Sequence, residues 1–423
     1  MRLLSFALLA AALSAQTVPR RLTLKQAEEL ALKNHPRIRG SRLNALAAGQ
    51  LVTQARSAYL PFLSGSLTGA GALDGSRIGA GSLNNPIIYN RLATGITIGQ
   101  MITDFGRTSS LVRSSELEAQ AQERNAQAAR ADVLLQVDRA YYAVLRAQSV
   151  LQVARQTVAA RQLVADQVKA LADSKLKSGL DVSFANVNLS EARLTLVSAQ
   201  NDLQAAFALL SAALGYSEPQ VFELADEAAS PPLPARPDEL IRAALRDRPE
   251  LAGLRLEEGA AQRFARAERA LMFPTLSAVA SAGLIPSRED PLRGRYSAAG
   301  LNINLPVLNG GLFRARREAA ELRAREAGEN VRDLANRISR DVEVAWLNAS
   351  TAQQRLQLTA EMLGQARQAL ELAQARYDLG LSSIVELSQA QLNQTAAEIA
   401  SAGARYDYLI AMALLDYQTG ALR

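Results

Sequence analysis

The chain contains no cysteine, one histidine and one tryptophan. Without cysteine it relies on neither disulfides nor thiolate metal sites, and it has no thiol near its start to carry a lipid anchor. Long apolar runs are also missing. After the opening residues none reaches the about eighteen positions that a helical membrane span requires. No Ser-His-Asp arrangement, phosphate-binding loop or metal-spaced cluster is visible, and His35, in Lys33-Asn34-His35-Pro36, reads as a polar residue closing a short helix before proline. These absences argue against an enzyme and imply no cofactor and no bound metal. A basic block is missing as well. The formal charge of +6 is spread over helices rich in both signs, which suits solvated helix faces rather than nucleic-acid binding. The scarcity of methionine and histidine also argues against a dedicated soft-metal path.

What is present is enough for more than one core: 423 residues, 48% of them apolar. The opening MRLLSFALLAAALSAQ places Arg2 before a short apolar run and small residues, with Ala12 or Ala15 as cleavage points. This is the pattern of a secretory signal over 1–15, too short for a spanning helix of about twenty residues, so the rest of the chain is expected to be exported.

The strongest signal is a duplication. One offset of 205 residues pairs Gly95 with Gly300, Gly106 with Gly311, Val137 with Val342, Asp173 with Asp378, Leu176 with Leu381, Ser178 with Ser383 and Gly215 with Gly420. Before Gly95 the offset becomes 213, pairing Pro36 with Pro249 and Leu60-Pro61 with Phe273-Pro274. Eight extra residues therefore belong to the first copy, between roughly Gly71 and Leu92, a stretch rich in Gly, Ser and Asn that reads as a surface loop. The copies are joined by a proline-rich linker, 217–237.

Between Gly106 and Gly179 there is neither glycine nor proline, and Leu134, Val137, Tyr141, Val144, Leu151 and Val158 keep the three-four spacing of a helix–helix seam. At ~1.5 Å per residue, about sixty-five helical residues reach roughly 100 Å. After a tip, 182–214 is again free of both breakers and is expected to return antiparallel. Ahead of each hairpin stand two segments with strand spacing, clearest in Leu301-Asn302-Ile303-Asn304-Leu305 and Gly95-Ile96-Thr97-Ile98-Gly99. The organisation is a signal segment, 1–15, followed by a first repeat, 16–216, with strands near 60–71 and 93–103 and a hairpin over 107–214 turning near 173–181. After the linker comes a second repeat, 238–423, with strands near 275–284 and 296–307 and a hairpin over 312–418 turning near 378–386. The fold class is mainly α with a small β part. Four strands that face lipid leave two open edges, so chains must share a transmembrane β-barrel, with the long antiparallel hairpins continuing it as an α-barrel.

These features together resemble the TolC-type outer-membrane efflux proteins, the outer-membrane factor family. The residues that carry the resemblance are the opening Ala31-Leu32, Asn34, Pro36; the strand–strand–hairpin order twice over; and the tip pattern Tyr377-x-x-Gly380-Leu381-x-Ser383-x-x-Glu386. The resemblance implies a homotrimer in outer-membrane lipid of a Gram-negative-type bacterium, with a twelve-stranded barrel and a long periplasmic extension. It further implies an exit duct that conducts passively, docked on a periplasmic adaptor (a membrane fusion protein) and an inner-membrane pump, in multidrug efflux or type I secretion. The adaptor contact would then be Lys175, Leu176, Ser178, Gly179, Gly380, Leu381 and Ser383. The first tip departs from the family's pattern, with Lys175 where the second tip has Gly380 and Gly179 four residues later, which leaves the geometry of its turn open. Glu386 and Asp181 match a lumen-facing acidic constriction, and Tyr377 a position that helps hold the tip closed. The family's second acidic ring would fall on Phe184 and Gln389, where no acid stands. Acids at such positions also suit a solvated helix face. A soluble periplasmic hairpin adaptor or coiled-coil spacer is the rival, and the strand pairs before each hairpin discriminate against it.

Overall fold

The computed structural model describes residues 21–77, 87–226, 232–234, 236–290 and 292–422. The expected signal segment, 1–15, lies outside the described residues, as do parts of the linker and of the loop expected to hold the eight extra residues.

In chain order the elements are β1 (Arg21–Leu22), α1 (Leu24–Asn34), α2 (Pro36–Arg56), β2 (Phe62–Ala70), β3 (Arg91–Thr103), α3 (Arg107–Asp173), α4 (Gly179–Ala213), β4 (Glu223–Leu224), α5 (Asp238–Asp247), α6 (Pro249–Ala270), β5 (Thr275–Arg288), β6 (Arg295–Asn304), α7 (Leu312–Asp378) and α8 (Ile384–Thr419). Two units interleave along the chain. One gathers residues up to 38 with 129–244 and 339–423, and the other 39–128 with 245–338.

The second of these units holds a four-stranded sheet of order β2–β3–β5–β6, antiparallel throughout. Its register aligns Leu63, Ile98, Ala280 and Ala299 in one row, and Gly65, Ile96, Ala282 and Ser297 in the next row on that side. Because alternate residues face opposite sides, these rows join Leu67, Leu284, Leu301 and Ile303 on one apolar face. Ser64, Thr97 and Ser281, with Ser66, Asn302 and Asn304, lie on the other. The apolar face is bare: Leu63 is 69% exposed and Leu301 71%. On the polar face Tyr296 lies across Gly95 and Gly283, where a Cβ would meet its ring and hydroxyl at under 3 Å, so glycine is what lets the tyrosine bridge three strands. β2 and β6 are the sheet's edges.

β3 and β6 each lead into a long helix through a left-handed turn: Phe105 and Gly106 (φ +54° and +92°) before α3, Gly310 and Gly311 (φ +60° and +84°) before α7. In the first copy Asp104 accepts hydrogen bonds from the amide and hydroxyl of Thr108, at 2.7 and 2.6 Å, satisfying the start of α3.

The other unit is helical. Leu134, Val137, Tyr141, Val144 and Leu151 of α3 are buried along one stripe. Val137, Tyr141 and Val144 pack with Leu210 and Leu214 at the end of α4 and Leu409 of α8, and Leu151 packs with Ala199 of α4. The expected four strands are supplemented by a further pair, since β1 and β4 pair in parallel through Arg21↔Glu223 and Leu22↔Leu224. This tie brings the start of the described chain onto the linker because the Tyr141 hydroxyl bonds the carbonyls of Leu22 and Ala225 at 2.9 and 2.7 Å. The linker is held again where the Trp346 indole N–H donates to the Pro234 carbonyl at 2.8 Å.

Candidate functional site

Both long helices end in the same way. At the first tip the amide of Leu176 donates to the Leu171 carbonyl (2.8 Å) and that of Lys175 to Ala172 (2.9 Å). At the second, Leu381 donates to Arg376 (2.8 Å) and Gly380 to Tyr377 (3.1 Å). These are the paired bonds that close a helix when the residue past its end turns left-handed. Gly380 does so at φ +71° and Lys175 at φ +61°. The first turn, left open by the sequence, has the geometry of the second: Lys175 itself takes the glycine's conformation, and Gly179 is the first residue of α4. A side chain in that conformation costs about 1 kcal/mol relative to glycine. Lys175→Gly is expected to raise the stability of the tip by about that amount, read as slower exchange of the amides at 170–180.

The returning helices are capped by the paired serines. Ser178 and Asp181 form a reciprocal box: the Asp181 amide donates to Ser178 Oγ at 3.2 Å, while the Ser178 amide and hydroxyl donate to Asp181 Oδ2 at 2.9 and 2.7 Å. Burial raises the Asp181 carboxyl, but these hydrogen bonds outweigh it and hold the group below its ordinary range. Asp181 is thus charged through the neutral range, and its contribution to the cap is lost as pH falls below about 4. Ser383 caps α8, accepting from the Glu386 amide at 3.4 Å. Glu386 pairs with Arg376 at 3.2 Å, both partners being largely exposed.

Behind the turns lies a small core. Ala165, Val168, Ala185, Leu189, Ala373, Tyr377, Ile384 and Leu387 draw on all four hairpin arms. Tyr377 is 4% exposed, and its phenol is held above the ordinary range by burial and then by the charges of Asp181 and Asp378. Lys177 closes over it: the ammonium lies 3.7 Å from the ring centroid and donates to the Tyr377 carbonyl at 3.4 Å. Deeper along the arms, buried Asn188 on α4 donates to Ser388 on α8 at 2.8 Å. The structure therefore brings Asp181 and Tyr377 together with Lys177, while Glu386 turns to Arg376. Sequence reasoning passed over Lys177 and Arg376, whose roles depend on which loop folds over which helix. Leu176, Leu180, Leu379 and Leu381 are left exposed at the ends of the hairpins.

A lipid-type sheet with two unpartnered edges, followed twice by a capped helical hairpin, defines a subunit of an outer-membrane channel. The chain belongs to the outer membrane efflux protein family, whose sequence pattern it matches over 28–216 and 240–421. It is 24% identical over 402 residues to the outer membrane efflux protein BepC of Brucella suis, covering 95% of this chain and 86% of that one. To the outer membrane protein TolC of Escherichia coli it is 25% identical over 409 residues, covering 92% and 81%. Among solved structures the fold is similar to that of CusC, with a TM-score of 0.83 at 20% identity over 94% of this chain and 92% of that one. It is also similar to VceC of Vibrio cholerae, with 0.78 at 20% identity over 94% and 96%. The family is one of channels rather than enzymes, and it places the chain in the outer membrane of a Gram-negative-type bacterium. The soluble adaptor or spacer reading is set aside.

Proposed function

We propose that three copies of this chain close a twelve-stranded barrel and form the exit duct of a tripartite efflux or type I secretion system. The observation that carries the reading is the sheet of β2, β3, β5 and β6, apolar on one face, polar on the other and open at both edges. Hydrocarbon tolerates no unpaired backbone, so each edge calls for the edge of a neighbouring chain, and the polar face then lines water. The duct conducts passively, with energy supplied by an inner-membrane pump reached through a periplasmic adaptor. The adaptor meets the hairpin ends at Lys175, Leu176, Ser178, Gly179, Gly380, Leu381 and Ser383. The narrowest point lies near Asp181, Tyr377 and Glu386, where three chains bring six carboxylates together and favour cations.

Single-channel recording of the purified protein in planar bilayers tests this. Stable pores are expected, with a cation preference and divalent block that fall in Asp181→Ala/Glu386→Ala. Pores that keep their selectivity in that variant would remove the acidic constriction, and a protein that forms no pores would remove the duct.

A further inference from the structure

Four helices, α2, α3, α6 and α7, join one end of the four-stranded sheet, and the other end closes in two connections, 71–90 and 289–294. From Gly71 to Arg91 and from Arg288 to Arg295 the chain carries five arginines and three acids, so that far end is basic. Arg91 opens β3 and Arg288 closes β5, and the register sets the two directly opposite each other. Along β3, Arg91 alternates in step with Gly95 and Thr97, and it meets Ala70 of β2 in the same unbroken ladder that pairs Thr97 with Ser64. Two arginines therefore share one position at the rim of the polar face.

Like charges directly opposite on a sheet repel, and nothing in the chain offsets this pair. Among the described residues neither arginine forms an ion pair, and the Arg91 guanidinium donates to no protein group. Of the acids at this end, Glu289 is turned to Asn90, accepting from its amide and its side-chain nitrogen at 3.0 and 3.2 Å. Arg288 is tethered in place: Nε donates to the Leu292 carbonyl at 3.1 Å and Nη1 to the Ile285 carbonyl at 3.3 Å. Gly294 makes room for it, since a Cβ there would come within 2.9 Å of Nη1. These bonds leave Nη2 of Arg288 and the whole fork of Arg91 unspent.

We propose that Arg91 and Arg288, repeated in the three chains of the duct, form a basic collar at its outer mouth that binds multivalent oxyanions of the phosphate type. The collar rests on the duct reading, because one chain presents only two of the six arginines. Guanidinium groups offer paired N–H donors that match phosphate oxygens, and an oxyanion between two of them turns their repulsion into attraction for a shared ligand. A lipid phosphate is not the occupant, since the pair stands on the face that lines water. Arg295, in the row of Leu67, Thr94 and Leu284, is the arginine of this end that lies on the apolar face. With the acids proposed at the periplasmic end, the collar makes the duct asymmetric in charge along its length.

The test is block of single pores of the full-length protein by inorganic triphosphate. Protein is added to one chamber, where the polar helical arms stay, so the collar opens to the other. Triphosphate in that far chamber is expected to block at lower concentration than in the near one, and less well as salt is raised. Arg91→Gln, which costs the fold no bond, should raise the half-blocking concentration by about tenfold, the loss of one charge-assisted contact. Arg91→Lys keeps the charge and should restore most of the block. Equal block in wild type and Arg91→Gln, or a lysine variant as weak as the glutamine one, would overturn the collar and leave the duct. A protein that forms no pores would overturn both together.

Discussion

Arginine in place of Ile96 or Ile98 is expected to keep the protein out of the outer membrane. Both residues stand on the apolar face of β3, in rows that run through Ala282 and Ala280 of β5. An arginine on the lipid face near the middle of a barrel costs about 2–4 kcal/mol, and each copy in the assembly incurs it. Flotation of membranes on a density gradient reads the result, with the variant remaining in the dense or soluble fractions. Thr97→Arg is the control that decides between faces. It lies between the two isoleucines but on the polar side, paired with Ser64 and Ser281, and is expected to insert as the wild type does. If Thr97→Arg fails to insert and Ile96→Arg succeeds, the sheet faces the other way.

Tyr377→Ala is expected to have the largest effect on the periplasmic end. It removes the one aromatic ring buried in the tip core and the platform on which Lys177 rests. Truncating a buried aromatic costs about 3–5 kcal/mol, and this cost falls on a cluster held by few other side chains. Both hairpin ends should loosen, with faster amide exchange at 173–181 and 378–386 and a higher single-channel conductance. Lys177→Ala separates the parts: it leaves the core filled and removes the cation over the ring, worth about 1 kcal/mol, together with its hydrogen bond to the Tyr377 carbonyl. A conductance equal to wild type in Tyr377→Ala would show that the tip core does not restrain the pore.

The long arms and the strands before them were legible because their periodicities are strong. α3 carries neither glycine nor proline over its 67 residues, and the alternation Leu301 to Leu305 separates an apolar face from a polar one. One strand end was hidden by a proline, which reads as a strand breaker. β5 continues past 284 through Ile285, Pro286 and Ser287 to Arg288, and Ser287 and Arg288 still pair with Leu92 and Arg91 of β3. α2 buries no residue within its chain, so it has no stripe to read. The tip shows a deeper limit. Outside Gly75, every left-handed residue among those described has a counterpart 205 positions away: Phe105 with Gly310, Gly106 with Gly311, Lys175 with Gly380, Gly215 with Gly420. Glycine advertises such a turn, but phenylalanine and lysine do not, so two of the four pairs were hidden by side chains forced into the same backbone. Lys177 over Tyr377 joins residues far apart in sequence, and no spacing announces the contact.

The two open edges of the sheet bear on how the protein reaches its working form. β2 offers a row of nine residues and β6 a row of ten whose outward amides and carbonyls await a partner strand. In water such an edge is a template for aggregation, and in hydrocarbon each unpaired group costs several kcal/mol. A lone chain therefore has no comfortable resting place on either side of the interface. In the proposed duct, insertion and association become a single event, whose rate rises with the concentration of chains, and a shortage of chains delays every pore rather than yielding partial ones.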